Sequence, residues 1–189
     1  MGGHVEPCAR RTIFVAMRRA ALDLWGPEGL REIGASMTDD ARRRCIDAVV
    51  IEAEMLPERF VMEWYEAAWS GPAGRDKGHY HAFLDRMMDH GFGRVRKLVL
   101  AVATPALLAQ KSSELWRHDH THGELRWRVS SERSVELTLC DHPYVETPLA
   151  RSSIAEILRY AVSLTRAKHV TERHWLGEPG SLVTTIAWS

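Results

Sequence analysis

Residues 124–139 read ELRWRVSSERSVELTL, and the fold turns on how this stretch is read. Leu125, Trp127 and Val129 alternate with Glu124, Arg126 and Arg128, and Val135, Leu137 and Leu139 alternate in the same way. Period two marks a strand with one buried face. Two such blocks around Ser130–Arg133 form a hairpin. Its register follows from the pleat, because a slip by one residue would expose one of the two apolar sets. Leu125 is therefore expected opposite Leu139, Trp127 opposite Leu137 and Val129 opposite Val135, with all six facing the core.

Outward from the hairpin, the pattern changes on both sides. Downstream, PLARSSIAEILRYAVSLTRA (148–167) carries Ile154, Ile157, Leu158, Ala161 and Leu164 at helical spacing behind Pro148. HVTERHWL (169–176) and LVTTIAW (182–188) then form a second hairpin around GEPGS (177–181). Upstream, helices are predicted over 12–25 and 27–37, with Gly26-Pro27 between them. Further helices are predicted over 39–50, capped by Thr38, and over 55–69, 79–91 and 93–116, the last broken at Thr104-Pro105. SGPAGRDKG (70–78) is the clearest loop and the expected mobile segment. A lone hairpin is marginal, so the two hairpins are expected to join. The predicted class is α+β: an N-terminal helical bundle packed on a four-stranded antiparallel sheet, ending β-β-α-β-β. A single domain over 1–189 is expected, with a helical part at 12–117 and the sheet with its crossover helix at 123–188.

The 189 residues are 45% hydrophobic and 26% charged, with 25 acidic and 25 basic side chains. That balance provides no field for nucleic acid or anionic lipid. The run Arg42–Arg44 beside Asp39 and Asp40 reads as a solvated helix face. Three scattered cysteines make no disulfide framework. MGGHVEPCARR lacks an apolar signal core, and no apolar run reaches the roughly 20 residues of a membrane helix. A cytoplasmic protein without membrane insertion is expected.

WRHDHTHGELRW (116–127) places His118, His120 and His122 at alternate positions. Extending the ladder backward sets Glu124 opposite Cys140, His122 opposite His142, and His120 near Tyr144, all on the face away from the core. A set of His120, His122, Cys140 and His142 has the nitrogen and sulfur donors zinc takes. The preferred reading is a polar outer face beside a helix end, where histidines meet the helix dipole favourably. The expectation is that these histidines are exposed and hold no structural metal.

No phosphate-binding loop, His-Glu-x-x-His, Cys-x-x-Cys or Gly-x-Ser-x-Gly occurs. Glu63 with Glu66, and Glu52 with Glu54, read as helix-surface carboxylates rather than an acid–base pair. No catalytic residue is assigned. Phe60, Trp64, Phe83, Met87 and Trp116, with Trp69, form an aromatic and methionine stripe. Such a stripe is core by default, yet broad Trp and pliant Met also line pockets for apolar ligands.

WGPEGLREI (25–33), GFGRVRKLVLAVATP (91–105), LLAQKSSELWRHDHTHGEL (107–125) and HVTERHWLGEPGSLVTTIAW (169–188) carry a resemblance. Residues 12–188 resemble a myxobacterial family of unknown function, itself similar to 4-vinyl reductase domains, haem nitric-oxide-binding domains and subunits of the transport protein particle (TRAPP). Relatives often carry Cys-x-x-x-Gly-Asp-x-x-Cys near the end; here Arg173 and Ser181 occupy the cysteine slots and Glu178 the acid, so no metal or redox role carries over. The haem branch has a proximal histidine and Tyr-x-Ser-x-Arg; the chain lacks that motif, having only Arg151-Ser152-Ser153 without the tyrosine, and no cofactor is expected. The resemblance implies a small-molecule or interaction module, often dimeric. The functional expectation is a non-enzymatic sensory or regulatory module for an apolar ligand at Phe60, Trp64, Phe83, Met87 and Trp116. It is expected to be a homodimer through the N-terminal helices, where Phe14, Val15 and Leu22 widen the apolar arc. The alternatives are a dimeric scaffold without ligand and a metal-dependent enzyme.

Overall fold

The computed structural model describes residues 6–48 and 54–189, with the backbone alone at 94–97. A short strand β1 (Cys8–Arg10) leads into α1 (Arg11–Ser36), α2 (Asp39–Arg42) and a π-helical turn at Arg43–Asp47. Strand β2 (Met55–Pro57), α3 (Arg59–Ser70), α4 (Lys77–Val102) and α5 (Pro105–Asp119) follow. The chain closes with β3 (Glu124–Ser131), β4 (Ser134–Cys140), α6 (Pro148–Ser163), β5 (Thr171–Leu176) and β6 (Leu182–Ala187). This is the α+β plan expected, with one four-stranded antiparallel sheet in the order β3-β4-β6-β5.

The helical signals act where the sequence places them. The break at Gly26 in α1 has φ 66° and ψ −169°, and Pro27 restarts the helix behind it. Thr38 and Thr104 cap α2 and α5 by accepting from Ala41 N–H and Leu107 N–H. The predicted loop 70–78 is wound in short turns: Gly74 N–H donates to Gly71, Arg75 N–H to Trp69 and Asp76 N–H to Ala73, whose side chain is buried. Helix α4 begins at Lys77, two residues earlier than expected, because Asp76 is the cap; its carboxylate accepts from His79 N–H. It also runs through Gly91 to a second break at Gly93. Residues 49 and 50 of the third predicted helix, and Glu52, lie outside the described residues.

The register of the first hairpin is as derived, including Glu124 opposite Cys140, with a bulge between Val129 and Ser131. The burial along it is different. Leu125 is 3% exposed, but Trp127 is 38% and Val129 54% exposed. The reason is position: β3 is an edge strand, with β4 its one neighbour in the sheet. The second correction is at residues 55–57, predicted helical, which pair instead with β1 (Cys8↔Pro57, Ala9↔Leu56, Arg10↔Met55).

Two hydrophobic clusters result. One lies among the helices, with Phe14, Met17, Ile33, Phe60, Trp64 and Phe83 at its centre. The other lies against the sheet, with Leu125, Leu137, Leu139, Ile154, Leu182 and Ile186.

Candidate functional site

Between the two clusters lies a cavity of about 330 Å³. Its wall takes Ala16, Val61, Tyr65 and Met87 from the helical cluster, and Leu108, Leu125, Leu137 and Ile154 from the sheet cluster. Met62, Met88, Ile157 and Leu158 are only partly buried by protein atoms because they too face this space. The volume falls at the lower end of the roughly 300–1,000 Å³ typical of small-molecule sites. The wall is mostly apolar, with hydroxyls at Thr12 and Ser112, and at one end Glu58, His118, Asp119 and His120 meet it beside Trp116.

That polar end is assembled by the small β1–β2 sheet. Pro7 O accepts from Glu58 N–H at 2.8 Å, and Cys8 O accepts from Thr121 N–H at 2.9 Å. Ala9 bridges directly to His120. Three residues of strand thus pin the start of α3 to the end of α5, 62 positions later in the chain. Glu58 is 2% exposed, and its Oε2 lies 3.3 Å from His120 Nδ1. His142 enters from the loop after β4, held by its N–H to Gly180 O at 3.0 Å, with its Nε2 3.7 Å from Glu58 Oε1. The Trp116 indole stacks on the His120 ring at 3.9 Å and donates its N–H to His122 O at 2.8 Å.

Gly123 explains how His122 joins this group. Its φ of 73° is left-handed, and a Cβ there would sit 3.1 Å from Leu139 Cδ1 and 3.3 Å from Trp116 Nε1. The strand alternation therefore stops at Glu124. His122 turns inward, its ring 4.9 Å from that of His142, and both its nitrogens are buried without a hydrogen-bond partner.

The electrostatics follow from burial. Burial pushes the Glu58 carboxyl up, and the contacts with His120 and His142 outweigh it, holding it at about 2. Burial lowers His122 to about 4; Glu58 opposes that shift, while His142 and His120 reinforce it. At neutral pH the centre is a carboxylate facing a neutral, unpartnered imidazole.

The expectation that these histidines are exposed is corrected. His118 is exposed on the last turn of α5, but His142 is 1% exposed and His120 and His122 are half-buried. Their predicted outer face presumed a strand continuing through 120–123, which Gly123 interrupts. The predicted partner Cys140 stays in the β3–β4 ladder opposite Glu124. Among the described residues, the potential metal ligands that converge are Glu58, His120 and His122. Glu58 carries no motif; its role comes from long-range pairing of β1, which periodicity does not report. Of the aromatic stripe, Met87 and Trp116 line the cavity, whereas Phe60, Trp64 and Phe83 are fully buried in the helical cluster.

No protein-family profile matches the chain, and no curated protein does. Solved structures do. An H-NOX protein from S. oneidensis in an Fe(II) state superposes with a TM-score of 0.67 at 13% identity, over 95% of this chain and 96% of that one. An Fe(II) unliganded H-NOX protein from K. algicida gives 0.64 at 10% identity, over 95% and 96%. An oxygen-binding H-NOX domain related to soluble guanylate cyclases, in its oxygen complex, gives 0.61 at 10% identity, over 95% of each chain. At these identities the likeness shows a shared fold, the haem nitric-oxide-binding branch of the resemblance read in the sequence.

Haem is the group named for neighbours of this fold, and the described part of the cavity wall does not suit its propionates. Its two propionates want cations, yet the cavity wall presents Glu58 and Asp119 and, among the described residues, no Arg or Lys. Its iron takes an axial imidazole, thiolate, thioether or phenolate, and of such groups His118, His120, Met62, Met87, Met88 and Tyr65 meet the cavity.

Proposed function

We propose that the protein is a ligand-binding sensory or regulatory module that takes an apolar small molecule into the cavity between its helices and its sheet. The observation that carries this reading is the division of the hydrophobic interior into two clusters with about 330 Å³ between them. Interiors normally close to crystal-like density, so a space of this size with aliphatic and methionine walls is a site rather than a packing fault. Methionines 62, 87 and 88 supply side chains that adjust to a ligand's shape. The polar end at Glu58 and His120 fixes orientation by hydrogen bonding, as the few polar groups of such pockets do. Shared fold with H-NOX domains, some described by their bound oxygen or their Fe(II) state, supports a role in small-molecule sensing. The wider kinship with 4-vinyl reductase domains and transport-particle subunits belongs to the same proposal and rests on the stretches 25–33, 91–105, 107–125 and 169–188.

The cavity favours this reading over a scaffold with a closed core. Association as a homodimer through α1 is part of the proposal; exposed Leu22 and Leu24 on that helix support it, although Phe14 is spent inside the subunit. Sedimentation would show a dimer at micromolar concentration, and a monomer throughout would remove that part alone.

The test of the ligand reading uses Nile red, a neutral apolar fluorophore, together with mass spectrometry of organic extracts of the purified protein. Saturable one-to-one binding is expected, weakened at least tenfold by Ala161→Phe, which fills the cavity from α6. Binding that is unsaturable, or untouched by that substitution, would reject the cavity as the site.

A further inference from the structure

We propose that Glu58, His120 and His122 form a binding site for one divalent transition-metal ion of the zinc class, at the polar end of the cavity. The inference stands on these side chains and does not depend on what fills the apolar space.

The geometry comes first. One ligand atom from each of the three residues lies within 4.8 Å of the others. Around an ion held at zinc distances, ligand atoms stand roughly 3.4 Å apart, so small side-chain rotations close the set. The three come from the start of α3 and the α5–β3 connection, which β1 clamps together through Pro7, Cys8 and Ala9.

The unmet bonding comes second. Buried polar side-chain atoms are nearly always hydrogen-bonded. Both nitrogens of His122 are buried without a partner. Glu58 is a buried carboxylate whose ion-pair partners among the described residues are two histidines, with no Arg or Lys. A buried charge of this kind calls for a compensating cation. A divalent ion answers both needs at once.

The donor set comes third. Two imidazoles and one carboxylate are a known zinc set with a position left open, and also the facial set of non-haem Fe(II). The site meets the cavity through Glu58 and His120. His142 is assigned as a positioning residue. Its Nδ1 accepts from Tyr144 N–H at 3.3 Å, which leaves the ring proton on Nε2, buried without a hydrogen-bond partner 3.7 Å from Glu58 Oε1. Trp116 does the same for the ring of His120 by stacking.

The experiment uses the full chain, purified without a tag, stripped with a chelator and titrated with Zn²⁺ by native mass spectrometry and calorimetry, with Co²⁺ as a visible-absorption reporter. One equivalent is expected, with weak tetrahedral or five-coordinate Co²⁺ bands. His122→Ala should weaken binding by at least a hundredfold; because His122 makes no hydrogen bond through its ring, the stripped variant should melt within a few degrees of wild type. Glu58→Gln should weaken binding similarly. His142→Gln should weaken it about 10–100-fold and shift the Co²⁺ bands. His118→Ala, on the exposed helix end and outside the three-residue set, should leave Zn²⁺ uptake unchanged. Absence of stoichiometric uptake by wild type, or equal uptake by His122→Ala, would overturn the proposal. So would loss on His118→Ala alone, which would mark surface histidines as the binders. Uptake of Fe²⁺ in preference to Zn²⁺, with the same dependence on the variants, would uphold the site and change its resident ion.

Discussion

Asp85 of α4 faces Arg159 of α6, with Oδ1 3.3 Å from Nη2. Despite that cation, burial together with Glu156 and Asp89 pushes its carboxyl up to about 6. The folded value lies above the ordinary value near 3.9, so between about pH 4 and 6 the folded state holds the proton more tightly than the unfolded chain. The stability from this group is fully present below pH 4 and lost as pH rises through 6. Urea unfolding of wild type and Asp85→Asn across pH 4–7 should therefore show a gap that grows in favour of the variant; parallel curves would refute it. Trp64, at the centre of the helical cluster, is fully buried with its indole N–H unpaired. Trp64→Ala should cost roughly 3–5 kcal/mol by denaturant midpoint, and less than 2 would mean the cluster collapses around the gap. The loss should not depend on ligand, because Trp64 is not part of the cavity wall.

Among the elements, those with internal periodicity were legible and those made by distant pairing were not. The register of β3 and β4 follows from Leu125 to Leu139 by parity alone, and the breaks at Gly26 and Thr104 follow from local chemistry. Strands β1 and β2 have three residues each and pair across 45–49 positions, so neither shows a period of its own. Glu58 was illegible for the same cause: its burial and its meeting with His120 depend on β1. His120, His122 and His142 were visible as a group, but the strands on which their predicted side depended end at left-handed residues, Gly123 (φ 73°) before β3 and Asp141 (φ 54°) after β4. The exposure of Trp127 and Val129 depends on strand order, which a pattern within one strand does not contain. The break in α1 can be tested on its own. Gly26, at φ 66° and ψ −169°, occupies a region essentially reserved for glycine, yet nothing lies within 4 Å of where a Cβ would be. Gly26→Ala should thus cost about 1–3 kcal/mol from backbone strain alone. A loss below 0.5 kcal/mol would show that α1 can straighten without penalty.

Across the whole molecule, the sheet cluster and the helical cluster meet around space rather than around side chains, and the stability of the whole should register what fills it. Ala109 of α5 is buried in the sheet cluster and lines the cavity. Ala109→Leu adds three carbons at a wall of that space. If they enter the cavity, each contributes at most about 0.8 kcal/mol, and rotamer restriction removes part of this, so a net gain of about 1 kcal/mol is expected for ligand-free protein. If they meet packed atoms instead, overpacking costs typically 1–3 kcal/mol. The sign of the change therefore reports whether the space exists in solution. A bound ligand separates the variants further. Ligand at a hundred times its dissociation constant stabilises wild type by about 2.7 kcal/mol, and this increment should shrink in Ala109→Leu, whose side chain takes part of the same volume. Thermal unfolding with and without Nile red gives all four values. Stabilisation of the free variant with a diminished ligand increment is the expected pattern; a destabilised free variant would show that helices and sheet close on each other and leave no room for a guest.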